Sequence, residues 1–252
     1  MKTFNIDELN NNYIKLGVYG LTGAGKTHYS IAHGLKTLYG STELNQSIMT
    51  IKNSVKLGSE VHADNKYISI ESTADIDRFI ALAEDKSKEY DLIVLDNITG
   101  LEDLTIAELP KTGITSLGTI SQAGYGKIVK EVKTYIAKFN NLKCNTLLIA
   151  HALELRDDRG NVDVRLAMIG KGALNVFTKG LNVCGYLVKR LTPESEKVRD
   201  LVLNEPSYIC KESPYLGYYE RGTLKELIEK LEKGIIVDNQ KPAPIRAEKE
   251  EF

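Results

Sequence analysis

Residues 20–27, GLTGAGKT, carry glycine, four intervening positions and then Gly-Lys-Thr, the spacing of a phosphate-cradling loop. The residue types follow from the task. Gly20, Gly23 and Gly25 allow successive backbone N–H groups to turn inward as a concave anion nest, which a Cβ would obstruct. Lys26 is placed to reach the β- and γ-phosphates of a nucleoside triphosphate, and the Thr27 hydroxyl to ligate Mg²⁺. Thr22, Ala24 and His28 complete the cradle and its exit. Further along, residues 90–96, YDLIVLD, form an apolar run that ends in a carboxylate, the Walker B pattern. Asp96 would hold the Mg²⁺ together with Thr27. Asn97 follows, where an AAA+ enzyme usually places a catalytic Glu, and this argues against an ordinary AAA+ motor.

The surrounding sequence contains the elements needed to hold these groups. Residues 14–19 read as the strand entering the loop, and Ile31, Ala32, Leu35 and Leu38 carry helical spacing for the helix leaving it. That helix would aim its positive end at the phosphates. Residues 47–51 read as a second strand and 66–71 as a third. Ser72 with Asp75 is a capping pair for a helix with Ile76, Phe79, Ile80 and Ala83 on one face. A short helix over 101–109 stops at Pro110, and a Gly/Ser/Thr-rich loop spans 110–126. An amphipathic helix with Ile128, Val129, Val132, Ile136 and Phe139 precedes a buried strand over 146–151. A second long loop, 152–170, interleaves Arg156, Arg159 and Arg165 with aspartates. Strands over 181–191, 197–204 and 207–211 read as an antiparallel extension. Thr223 with Glu226 caps a last helix reaching about Lys233.

The organisation predicted is an arm over 1–13, one α/β domain over 14–235 and a disordered charged tail over 236–252. At 42% hydrophobic residues the chain can bury a core, and 33 Lys and Arg against 34 Asp and Glu leave no global polycation for nucleic acid. Any DNA contact must therefore be local. Three scattered cysteines, Cys144, Cys184 and Cys210, lack metal-ligand spacing and fit a reducing cytosol. With no signal-like start and no membrane-length apolar run, a cytoplasmic protein without a membrane partner is expected.

Strand, phosphate loop, helix, two strands, Walker B strand, loop, helix and a strand ending in a polar residue resemble the RecA-like ATPase core. The chain is similar in particular to phage ATPases of the Sak-type recombination group, small RecA relatives that act on single-stranded DNA. The resemblance covers about 14–210 and rests on 20–27, 92–96 and 147–151. It implies ATP with Mg²⁺, a homo-oligomeric ring or filament, single-stranded DNA as ligand, and a recombinase or single-strand-binding protein as a further partner. It places DNA contacts on 110–126 and 152–170, with Lys111, Arg156, Arg159 and Arg165 as the cations. Those arginines could equally pair with their neighbouring aspartates. It sets His151 as γ-phosphate sensor, where RecA-like proteins have Gln. Lys189 and Arg190 become candidates for a finger reaching a neighbour's phosphate.

In RecA-like proteins the general base is a Glu at the end of the second strand. With that strand at 47–51, residues 51–53 supply no acid, so Glu71 or Glu60 would have to substitute and hydrolysis is expected to be slow. Two other readings stay open: a small-molecule P-loop kinase with 156–165 as a lid, and a nucleotide-gated recombination mediator that scarcely hydrolyses.

Overall fold

The computed structural model describes residues 13–156, 162–168, 175, 177–191, 197–204 and 208–236. Its strands are β1 (Lys15–Gly20), β2 (Thr37–Ser41), β3 (Lys66–Ser69), β4 (Leu92–Asp96), β5 (Thr146–Arg156), β6 (Val162–Leu166), β7 (Val183–Leu191), β8 (Lys197–Val202) and β9 (Tyr219–Glu220). They form one sheet in the order β3-β2-β4-β5-β1-β7-β8-β9, with β6 paired to β5. The pairs from β3 through to β7 are parallel, and β8, β9 and β6 join antiparallel. The α/β architecture expected from the motif order, a mostly parallel sheet flanked by helices with an antiparallel C-terminal extension, is what the chain adopts.

Helices that flank the sheet include α1 (Lys26–Tyr29), α2 (Leu44–Lys56), α3 (Thr73–Asp85), α4 (Ile98–Ala107), α5 (Gln122–Asn140) and α6 (Leu224–Lys233). Because β1, β2 and β4 are buried at every residue, their sequences read as apolar runs rather than alternations. One face carries Tyr19, Leu38, Ile93, Leu95, Leu148 and Ala150 against Ile76 and Phe79 of α3, Ile98 and Leu101 of α4, and Val132, Ile136 and Phe139 of α5. The opposite face packs Leu16, Val18, Tyr39, Val94 and Ile149 on Ile31 and on Leu224, Leu227 and Ile228 of α6. Thr223 and Glu226 close the expected capping box on α6, and Ser72 accepts from the Asp75 N–H at the start of α3. Cys144 and Cys184 are buried. No helix among the described residues is long and apolar enough to cross a membrane.

Several expected boundaries move. The helix after the phosphate loop is a single turn, and Gly34 at φ 72° lies in the tight segment that leads into β2. Leu38, read as that helix's apolar face, sits in β2 instead. Residues 47–51 are helical: Leu44, Ile48 and Ile51 fall at i, i+4 and i+7, a helix period that a five-residue window hides. The first long loop ends at Ser121, which caps α5 by accepting from the Gly124 N–H at 3.1 Å. A Cβ on Gly124 would lie 2.2 Å from the Gly113 carbonyl oxygen, so glycine here serves close approach of loop to helix rather than flexibility. The second long loop is largely a hairpin, since β5 runs on to Arg156 and returns as β6. Within 207–211 the described residues make only the isolated bridge Cys184↔Lys211. Apart from Tyr13 and Ile236, the expected arm and tail lie outside the described residues.

Candidate nucleotide site

Register brings the chemistry to one edge. Gly20 lies level with His151 across β1 and β5, and Ser41 with Asp96 across β2 and β4, so the ends of four strands converge where the phosphate loop begins. Gly20 is closed in from behind: a Cβ there would meet the Leu187 carbonyl oxygen at 2.7 Å. Gly23 and Gly25 adopt φ 80° and 96°, backbone that a side chain would strain. These are the turns an anion nest requires. Lys26 is buried, and its Nζ donates to the carbonyls of Gly20 (2.8 Å) and Leu21 (3.0 Å). Burial holds this ammonium below the ordinary lysine value, while the charges of Asp96 and Glu43 pull the other way. Among the described residues no carboxylate comes within ion-pair distance of it.

Asp96 ends β4 buried at 4% exposure, and its Oδ2 accepts from the Thr27 hydroxyl (3.0 Å) and from the Tyr39 hydroxyl. Burial pushes its carboxyl up, against the pull of those two donors. A hydroxyl at the start of α1 and a carboxylate at the end of β4 are the oxygen donors a hard cation takes. Among the described residues no three His, Cys, Asp or Glu side chains gather as a metal site. A Mg²⁺ would therefore share Thr27 and Asp96 with phosphate oxygens, which is the usual way this ion is held beside a triphosphate. The residues present fit both ATP and Mg²⁺.

The acid missing from the sequence reading is Glu43. The second strand ends at Ser41, and two residues later Glu43 stands with Oε1 3.5 Å from Nε2 of His151. Local bonds set this position. The Glu43 N–H donates to Ser41 Oγ (3.0 Å), the Thr42 N–H to the Asp96 carbonyl (2.9 Å), and the Asn97 N–H to Thr42 Oγ1 (3.2 Å). Asn97 caps α4, its Oδ1 accepting from the Gly100 N–H at 2.6 Å, which turns its Nδ2 toward His151 Nε2 at 3.0 Å. The contact with His151 holds the Glu43 carboxyl below the usual carboxylate range, with burial opposing. Glu71 is not part of this cluster. It lies two residues beyond the end of β3, one strand further out, where it is exposed and accepts from Ser69 Oγ at 3.0 Å. Glu60 contacts Gly34 through its backbone carbonyl, away from the strand ends. The expectation of an acid at 60 or 71 is corrected by the position of β2.

A cavity of about 580 Å³ opens over this edge, lined by Thr22, Gly23, Gly25, Lys26, Thr27 and His28 on one side and by Glu43, Asp96, His151 and the polar face of α2 on others. His28 Nδ1 lies 2.8 Å from Ser54 Oγ on α2, and burial, then the charge of Arg199, lowers its basicity. Tyr39 and Arg199, both in contact with this site, carry no motif signal in the sequence.

The expected DNA cations are dispersed. Arg156 pairs with Glu154 at 3.0 Å and Arg165 with Asp163 at 2.7 Å, the internal pairing that was the alternative for them. The register puts Arg156 opposite Val162 and Arg165 opposite Leu153, on different faces of the hairpin. Arg159 lies outside the described residues. Lys111 is exposed in a 3-10 turn (Lys111–Gly113). Arg190 is engaged within the chain, 3.6 Å from Asp200 and over the Tyr219 ring at 4.4 Å, which leaves it ill placed as a finger for a neighbour.

The family model AAA_24, described as an AAA domain, matches residues 12–204. The chain belongs to this family. As an AAA-domain protein it is a P-loop ATPase by class. No curated protein matches the sequence. Solved structures that resemble it include the KaiC-like protein PH0186 from the hyperthermophilic archaeon Pyrococcus horikoshii OT3, 13% identical over 78% of this chain and 82% of that one, with a TM-score of 0.41. That remote likeness bears on neither substrate nor partner.

Proposed function

We propose that this AAA-domain protein hydrolyses ATP and uses the nucleotide state to control single-stranded DNA, as a homo-oligomeric recombination ATPase of phage type. One observation supports the reading most: His151, beside Glu43 and level with the phosphate loop, sits on the same strand that continues without interruption into the β5–β6 hairpin.

In this scheme the amides of residues 23–27 and Lys26 hold the phosphates, and Thr27 and Asp96 hold the cation. Bound Mg²⁺ neutralises charge that develops on the transferred phosphoryl group. Glu43, ionised at neutral pH, takes the proton of the attacking water. His151 and Asn97 orient Glu43 and register the γ-phosphate. A shift at His151 passes along β5 to the hairpin, whose outward face carries the exposed Leu153, Leu155 and Arg165. Against the kinase alternative, the described ends of its lid, 156–165, are paired strands, which supports the recombination reading instead. The mediator alternative turns on the lack of an acid, and the position of Glu43 beside the cavity supports hydrolysis over it.

ATP hydrolysis measured with and without single-stranded DNA tests this. The expected result is a basal rate abolished in Lys26→Ala and raised when DNA is added. A rate indifferent to DNA at all lengths would remove the recombination reading and leave an ATPase of another purpose.

A further inference from the structure

The C-terminal extension brings a cation to the phosphate loop that neither the loop motif nor the family match assigns. Lys189 of β7 and Arg199 of β8 are register partners, so their side chains leave the same face of the sheet as neighbours. That is the face on which Leu187 and Leu201 pack with Ile31 beyond the phosphate loop. On the other face the charges are settled internally: buried Asp200 takes both Arg190 at 3.6 Å and Arg221 at 2.9 Å. Arg199 differs. It has no hydrogen bond, ion pair or ring contact among the described residues, and Lys189 has none either. Like charges directly opposite each other in a sheet are destabilising, so the pair is better suited to receiving an anion than to holding the fold together.

The guanidinium of Arg199 lies across Gly25. A Cβ on that glycine would stand 2.4 Å from Arg199 Nε, 3.1 Å from Cδ and 3.2 Å from Cζ. Gly25 is therefore required twice, for its φ of 96° and for the room it gives this side chain. Arg199 also lines the cavity beside Thr22, Gly23, Lys26 and His28.

We propose that Arg199 is a nucleotide-binding residue acting within its own subunit, its guanidinium donating to the polyphosphate of the nucleoside di- or triphosphate held by the loop. The assignment rests on the reading of the loop as an ATP site and adds to it a wall, the β7–β8 hairpin, with Lys189 as an outer charge. A planar fork of N–H donors is suited to two phosphate oxygens at once, which the Lys26 ammonium is not.

Titration with N-methylanthraniloyl-labelled ATP and ADP, in parallel on wild type, Lys26→Ala, Arg199→Ala and Arg199→Lys, tests it. Arg199→Ala should weaken both nucleotides by about 10- to 100-fold, the range for losing a charge-assisted contact, and Arg199→Lys should recover part of this. The melting temperature without nucleotide should not fall in Arg199→Ala, and should rise slightly if anything, since the exposed side chain has no partner to lose and its repulsion with Lys189 is relieved. If Arg199→Ala binds within about twofold of wild type while Lys26→Ala does not bind, the inference is overturned and the ATP site stands. If wild type itself retains neither nucleotide, both fall together.

Discussion

Replacing Glu43 by Gln is the sharpest probe of the catalytic arrangement, because the structure separates its chemistry from its architecture. Glu43 occupies the N-cap of α2, yet its side chain makes no capping hydrogen bond there, so the amide should not unwind the helix. Its backbone N–H, not its carboxylate, anchors the segment to Ser41. Like any ordinary carboxylate it is ionised at neutral pH, and the contact with His151 holds its proton affinity further down. What the substitution removes is a base beside the cavity, and positioned bases are worth roughly 10²- to 10⁴-fold, or about 2.7–5.4 kcal/mol of barrier. Nucleotide affinity should hold or rise slightly, since one negative charge near the phosphates disappears. Phosphate release at saturating ATP gives the first quantity, and equilibrium binding of a fluorescent ATP analogue gives the second. The wild-type pH profile should keep its rate down through the ordinary carboxylate range and lose it only below, as Glu43 protonates. A Glu43→Gln protein that turns over within about threefold of wild type would refute the assignment, because no positioned base contributes so little.

Other outcomes follow from burial and packing. The Asp96 carboxyl titrates higher when folded than when unfolded, so the folded state binds the extra proton, and stability falls as pH rises from the unfolded value through the folded one. Asp96→Asn should therefore melt higher than wild type without ligand at neutral pH yet gain nothing from ATP and Mg²⁺, as read by differential scanning fluorimetry. Gly40→Ala would push a Cβ to 2.7 Å from the Phe79 ring and should cost about 1–3 kcal/mol, measured by urea unfolding, with nucleotide binding retained at temperatures where it is folded. Arg156→Ala with Arg165→Ala should lower single-stranded DNA affinity and flatten its salt slope by no more than about two charges, as judged by fluorescence anisotropy; an unchanged slope excludes the hairpin from the contact.

The parts of the site legible in the sequence are those whose chemistry fixes both residue type and spacing. Residues 20–27 and 92–96 are of that kind, and each stands where the motifs put it. Glu43 was hidden by a boundary error. Leu38 continues the helical spacing of Ile31 and Leu35 by coincidence, and residues 47–51 look β-branched in a short window. Together these moved the second strand ten residues too late and hid the acid that follows it. Tyr39 and Arg199 were illegible for another reason. Each acts on the site across a strand pairing or from a distant β-hairpin, a relation that periodicity does not encode.

The sheet order gives the site a mechanical consequence. β5 lies between β1, which leads into the phosphate loop, and β4, which ends in Asp96, and so is hydrogen-bonded on both sides through Ile149. Beyond that level its β4 pairing ends, and from Ala152 onward its partner is β6. His151 is thus the hinge residue between a clamped half and a freer half of one strand: its N–H donates to Thr99 Oγ1 (3.1 Å), and its carbonyl accepts from the Ala167 N–H (2.9 Å) of the segment leaving the hairpin. A change in what its ring contacts, whether Glu43, Asn97 or a phosphate, is resisted on the β1 and β4 side by buried pairing. The hairpin side offers less resistance on its outer face, where Leu153 and Leu155 are exposed, while Val164 and Leu166 tie its inner face to the core. Displacement at this residue should therefore pass outward, toward the hairpin. His151→Ala would be expected to leave ATP binding in place while making DNA affinity independent of which nucleotide is present, a result that anisotropy titrations with ATP analogue and ADP distinguish directly.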